Sequence, residues 1–216
     1  MAFEGTYLRG RPGPRAITTA VQVLRQFLAA PQGASVRPRP TQSGDQIRLA
    51  VLDFTQTCSE PRGVVVGRSG EPLTPSFLVA HGSAAAAASF EQRPQELSNR
   101  SGSHLSSAGL FIAKQIVPSR FGTRLRMFGV CRGLNDNADA RLIGMHPYRG
   151  NFVYRDDRNR ARAIATSYGC PAVTQEVAPE LMPMLDGGFI YIYDPRYTPT
   201  GFTDQPRQSR QHARVN

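Results

Sequence analysis

Lysine is almost missing from this chain. Lys114 stands alone against 25 arginines among 216 residues, so the net charge of +10 is carried by guanidinium groups. Such a surface favours anionic partners, whether nucleic acid, a membrane surface or an anionic wall polymer. No recognised nucleic-acid motif is present, and no run interleaves aromatic with basic residues for base stacking, which argues against nucleic acid. Arginine also forms forked hydrogen bonds with carboxylates, so a carboxylate-rich substrate suits it equally well.

Cysteine is scarce too. Cys58, Cys131 and Cys170 make an odd count with no C-x-x-C pair, and the four histidines are scattered. That pattern argues against a zinc site, and no cofactor is implied. At most one disulfide can form within the chain; Cys58 and Cys131 are either partners or small buried hydrophobes. Long apolar runs are also missing: none approaches the ~18 to 20 residues needed to cross a bilayer. At the N-terminus, Glu4 and several arginines precede Ala16–Val21, and Arg25-Gln26 interrupts the would-be apolar core. No secretory signal is therefore read there, and either a signal has been removed or the protein reaches its place of work differently.

What the chain does have is glycine (20), proline (17) and 40% hydrophobic residues, with few helical patterns. This composition predicts a globular, mainly β fold with a few short helices, an α+β arrangement rich in turns. Residues 1–45 read as a basic Pro/Gly-rich arm with one amphipathic helix and a linker, 46–195 as the folded body, and 196–216 as a basic polar tail. Within the arm, Ile17, Val21, Leu24 and Leu28, with Phe27 beside them, predict a helix over 16–30. It packs on the body or binds a partner chain, as the basic tails could also do.

The body opens with Ile47, Leu49 and Val51 alternating with Arg48 and Ala50, the pattern of a half-buried strand. Further strands are predicted at Gly63–Gly67, Phe77–Ala80, Gly109–Ala113, around Leu125–Gly129, at Leu142–Met145 and at Phe189–Tyr193. Asn151–Tyr154 is expected to extend the sheet. A helix is expected over 175–186 with Val177, Leu181, Met184 and Leu185 on one face, Pro179 in its first turn and Pro183 bending or ending it.

The chemistry concentrates in Ser167-Tyr168-Gly169-Cys170-Pro171-Ala172 and in His146, at the end of an apolar run 24 residues upstream. A cysteine held by an imidazole is available as thiolate, the form that attacks carbonyls. Gly169 permits a tight turn whose amides can meet a developing oxyanion. The same residues also suit a structural turn and a structural histidine, and spacing alone leaves both readings open.

From Ile47 to Pro195 the chain resembles the murein L,D-transpeptidase catalytic-domain-like family, cysteine enzymes on a β-rich sandwich or barrel. Seven segments carry the resemblance, in family order: Leu52–Thr55; Leu78–Gly82; Leu97–Asn99 with Gly102–Gly109; Gly133–Ala138; His146; Ser167–Ala172; and Gly187–Tyr193. Pro147 stands where the family commonly has glycine, and Ala163–Thr166 where it commonly has arginine and glycine.

The resemblance implies that Cys170 is the nucleophile and His146 its base. It places the amides of Gly169 and Cys170 at an oxyanion hole, has Ser167 position the loop, and puts Ser98, Asn99, Ser103, Ser106, Ser107 and Tyr168 near substrate. It further implies acyl transfer on peptidoglycan stem peptides through a thioester, resolved by an amine or by water, at an extracytoplasmic site in the periplasm or cell envelope. Turns and caps at a strand end are the plainer reading of the serines. The rival to the enzyme is a structural or wall-penetrating component of a larger assembly such as a phage virion, with or without retained activity.

Overall fold

The computed structural model describes residues 11–36, 47–84, 90, 92–148 and 152–203. The first ten residues of the arm, most of the linker and the end of the tail lie outside them.

Helix α1 (Pro14–Ala29) starts on a proline, which suits a first turn because its missing N–H would lack an intrahelical partner there. Its buried face is Ala16, Ala20, Val21, Val23, Leu24 and Phe27. The helix is therefore turned relative to the predicted stripe, leaving Ile17 and Leu28 half-buried at its margins. Small side chains at 16 and 20 allow close approach to the sheet, and Phe27 packs edge-on to Phe189 and Phe202 at 6.4 and 5.2 Å.

The strands are β1 (Leu49–Asp53), β2 (Gly63–Val66), β3 (Gly109–Ser119), β4 (Gly122–Gly129), β5 (Gly144–Pro147), β6 (Val153–Arg155), β7 (Ala161–Ile164), β8 (Ala172–Val173) and β9 (Phe189–Tyr193). Seven of them form one sheet in the order β2-β1-β9-β3-β4-β5-β8, curled into a half-barrel. Two pairings are parallel: β1 with β9, Leu49 opposite Phe189, and β5 with β8, His146 opposite Ala172. Helix α2 (Ala178–Leu185) contacts β3 and β5. Among the described residues the fold is thus mostly β with two helices, as expected.

Strand β1 is buried on both faces rather than half-buried. Leu49 and Val51 lie in the cluster with α1, while Ala50 and Leu52 lie in the inner core with α2. A strand covered on both sides has no solvent face to mark with polar residues, so its alternation carried little information. Phe77–Ala80 is buried but makes isolated bridges, Phe77 to Gly63 and Val79 to Val173, instead of a strand. Leu142 lies outside β5 with φ +59° and is exposed, so His146 sits within the strand rather than after it. Val153 and Tyr154 belong to a separate two-stranded ribbon, β6 with β7, and do not extend the main sheet. The polar stretch between them turns on Asp156, whose carboxylate pairs with Arg160 and Arg162. Proline 183 lies inside α2, which ends two residues later.

Candidate active site

The Ser167–Ala172 segment is held at both ends by sheet-like bonds. Ser167 N donates to His81 O at 2.7 Å and its carbonyl accepts from Ser83 N, while Ala172 and Val173 form β8. Between these anchors the backbone turns at Gly169, φ +109°, a conformation that a Cβ strongly disfavours. Ser167 Oγ donates to the Cys170 carbonyl at 2.5 Å, tying the loop across its mouth. The amides of Gly169 and Cys170 donate to no acceptor among the described residues.

Gly82 packs directly behind this loop. A Cβ there would lie 2.4 Å from Gly169 Cα and from the His104 carbonyl oxygen, so only glycine fits. Ser106 completes the brace: its buried hydroxyl accepts from Gly82 N at 2.8 Å and donates to Gly169 O at 2.9 Å. Ser106→Ala leaves a buried donor and a buried acceptor unpaired, and is expected to cost ~2 to 3 kcal/mol of folding stability, read by urea titration. A change within a few tenths of a kcal/mol would mean that the brace does not support the loop.

His146 reaches this loop through the β5–β8 pairing, its amide donating to Pro171 O at 3.4 Å. Its ring is buried, stacked on Phe121 at 4.1 Å between centroids and edge-on to Tyr148 at 6.0 Å. Nδ1 lies 3.0 Å from the Pro147 carbonyl, which can only accept, so the neutral ring carries its proton on Nδ1 and leaves Nε2 as the acceptor. Pro147 therefore fixes the tautomer. The proline also breaks nothing in the ladder, because the amides that bond to the 171–173 segment are those of His146 and Tyr148. No hydrogen bond joins His146 to Cys170; the sulfur's hydrogen bond is to the Leu142 carbonyl, at 3.8 Å.

The serine-rich segment surrounds a guanidinium that sequence reading passed over. Arg141 donates to Ser98 O, the Ser107 hydroxyl, the Ser103 hydroxyl and Leu105 O, at 2.7, 2.6, 3.3 and 2.6 Å. Asn99 bonds instead to Asp136 and Asn137, joining this segment to the 133–138 turn. Tyr168 is 65% exposed beside Cys170 and packs edge-on to His104.

Electrostatically the site is cationic. Burial pushes the Cys170 thiol up, while the Gly144 backbone, Arg124, Arg141 and Arg120 pull it down. Burial pushes His146 below the ordinary imidazole value; the Pro147 carbonyl opposes this, and Arg120 and Arg124 reinforce it. At rest Cys170 is therefore a thiol and His146 a neutral imidazole. A cavity of about 540 Å³ is lined by Phe121, Ile116, Pro147, Ala178, Met182 and Pro183 among others.

Behind the loop, Arg62 is fully buried and caps Val79 O twice, Gln56 O and His81 Nδ1. Nothing in the sequence marks Arg62, Arg124 or Arg141 among 25 arginines. Cys58 and Cys131 are buried in different clusters. Burial pushes Cys131 up to about 11, which keeps it unreactive.

A family model described as L,D-transpeptidase catalytic domain matches residues 21–193. Among solved structures, the chain is similar to an L,D-transpeptidase from Mycobacterium smegmatis, at 15% identity over 69% of this chain and 59% of that one, TM-score 0.41. It is also similar to one from Mycobacterium tuberculosis H37Rv, at 11% identity over 69% and 58%, TM-score 0.41. A third, from Stackebrandtia nassauensis, is 13% identical over 82% and 66%, TM-score 0.40. The chain spans about three fifths of the length of the mycobacterial structures it matches. No curated protein matches it.

Proposed function

The chain belongs to the L,D-transpeptidase catalytic-domain family, and on that premise we propose that it is a peptidoglycan-acting cysteine acyltransferase of the cell envelope with Cys170 as nucleophile. One observation carries this reading: the parallel pairing of β5 with β8 sets His146 opposite Ala172, two residues beyond Cys170, inside the matched region.

The Cys170 thiol gives its proton to His146 Nε2 as sulfur bonds to the diamino acid's carbonyl carbon, in the amide that joins it to the D-alanine of a stem peptide. The carbonyl electron pair moves to oxygen, where the amides of Gly169 and Cys170 donate to it. Collapse of this intermediate breaks the C–N bond. D-alanine leaves with the proton from His146, and a thioester remains on sulfur. An amine of a neighbouring stem (transpeptidase) or water (carboxypeptidase) then attacks the thioester, passes its proton through His146 and restores the thiol. The missing Cys170–His146 hydrogen bond accords with unliganded sites, where such contacts tighten only with substrate. Ser167 and Ser106 hold the loop, and the arginine-rich surroundings suit the stem's free carboxylates.

The test is mass spectrometry after incubation with a stem tetrapeptide and, separately, a carbapenem. The expected result is an adduct on the peptide containing Cys170, with loss of D-alanine from the tetrapeptide; the released product then tells amine from water as acceptor. No adduct with either probe, or an adduct on another residue, would overturn the reading.

A further inference from the structure

The geometry assigns Arg141 as the positioning residue that holds the cysteine loop and stabilises the Cys170 thiolate in place of an imidazolium. This rests on the reading of Cys170 as nucleophile.

Three observations carry it. The guanidinium is spent on four neutral acceptors, Ser98 O, Ser103 Oγ, Leu105 O and Ser107 Oγ, and no carboxylate pairs with it among the described residues. Its positive charge is therefore oriented but not neutralised. Second, it abuts the cysteine loop: Nη2 lies 3.6 Å from where a Cβ on Gly169 would stand, and the Leu105 carbonyl it holds lies 3.2 Å from the same point. Third, His146 is neutral at rest, with Nδ1 committed to the Pro147 carbonyl and no hydrogen bond to sulfur. A half-buried thiolate is favoured by a positive neighbour, and the neutral imidazole does not supply one.

The charged and titratable groups around Cys170 are Arg120 and Arg124 from the β3–β4 hairpin, Arg141 from the segment before β5, Tyr148 after β5, and Tyr168 in the loop itself, with His146 on β5. Of the three arginines, Arg120 and Arg124 also disfavour protonation of His146, whereas Arg141 acts on the cysteine without that effect. Cys170 in turn favours the charged form of Arg141, against its burial. Burial chiefly keeps the base neutral, with Arg120 and Arg124 reinforcing it; Arg124 and Arg141 both support the thiolate, and Arg141 does so without acting on the base.

The experiment measures Cys170 alkylation against pH with neutral iodoacetamide and anionic iodoacetate, scored by peptide mass spectrometry so that Cys58 and Cys131 are counted separately. In Arg141→Gln the midpoint of the pH profile is expected to move to higher pH, with the iodoacetamide rate at pH 7 falling about tenfold. The preference for iodoacetate over iodoacetamide should fall with it. Arg141→Lys, which keeps the charge and loses the fork, should stay near the wild-type midpoint.

Raising wild-type ionic strength to about 1 M should move the midpoint in the same direction as Arg141→Gln, a readout that needs no variant to fold. A merely structural role would slow alkylation without moving the midpoint. An unmoved midpoint in Arg141→Gln, or in wild type at high salt, would overturn the assignment. Because no stem peptide is used, the outcomes separate: a Cys170 adduct with an unmoved midpoint removes only the role of Arg141, and a moved midpoint without an adduct removes only the acyltransferase.

Discussion

Cys170→Ala is expected to lower turnover of a stem tetrapeptide by roughly 10⁴-fold or more while leaving the protein folded. The sulfur's hydrogen bond in the resting structure is a long one to Leu142 O, and the loop is held by the Cys170 carbonyl, which alanine keeps. Folding stability should therefore change by only about 1 kcal/mol. Cys170→Ser should be nearly as inactive, since a hydroxyl is far harder to ionise than a thiol and the neighbouring imidazole is a weakened base. In wild type, a thiol pushed up and an imidazole pushed down mean that both are neutral at pH 7. The competent state is this thiol with a neutral imidazole, whose one proton passes to the leaving amine, so kcat/KM should stay level over an interval wider than the ordinary 6.5 to 9.0 and fall at higher pH as the thiol loses that proton. Substantial turnover by Cys170→Ala, with the folded state verified by circular dichroism, would sink the mechanism.

Acid should unfold this protein through His81. The ring is buried beside Arg62, whose Nη2 donates to Nδ1 at 2.9 Å, and burial followed by the Arg62 charge lowers its pKa from 6.5 to about 3. The folded value lies below the unfolded one, so this stabilisation is complete above about pH 6.5 and is lost as pH falls toward 3. The arithmetic gives ~4 kcal/mol over that window, a large share of an ordinary domain's total. Arg62 itself is pushed down to about 10 and stays charged throughout. Urea titrations of wild type at pH 7 and pH 4 should differ by a few kcal/mol. His81→Gln should be less stable at pH 7 but should lose much of that difference, because glutamine offers Arg62 an oxygen and does not titrate. Equal pH dependence in the two proteins would dismiss His81 as the source.

The two experiments also mark where the sequence could be read and where it could not. The turn at Gly169 was legible because its requirement is local, a glycine able to take φ +109°, and Cys170 and His146 stand out as candidates because the proposed chemistry asks only for a thiol and an imidazole. Phe189–Tyr193 was legible because an apolar β-prone run between Gly187-Gly188 and Asp194-Pro195 has few other uses. The two-sided burial of β1 was not, since whether a helix covers the second face depends on packing rather than on β1. Arg62 and Arg141 were hidden for a different reason. Their acceptors are mostly backbone carbonyls, supplied by up to 43 residues' separation, and a carbonyl has no residue type. Leu52–Thr55, Leu78–Gly82 and Gly133–Ala138 carry much of the family resemblance, yet mainly build the frame. Asp53 collects Gly13 N, the Thr55 amide and hydroxyl, and Gln56. Asn135 clips Cys131 N to Leu110 O.

Strand β9 lies between β1 and β3, pairing in parallel with one and antiparallel with the other. In order of synthesis it is the last strand among the described residues, about 140 residues after the β1 segment it joins. Until residue 193 is available, β1 and β3 each lack a neighbour at the middle of the sheet. The sheet therefore closes around its own final strand, through contacts of high sequence separation that form slowly. The cysteine loop, seated at the β8 edge, can become rigid only when that closure is complete. A chain with this topology completes its sheet late, once residues 189–193 take their place between the two strands already made.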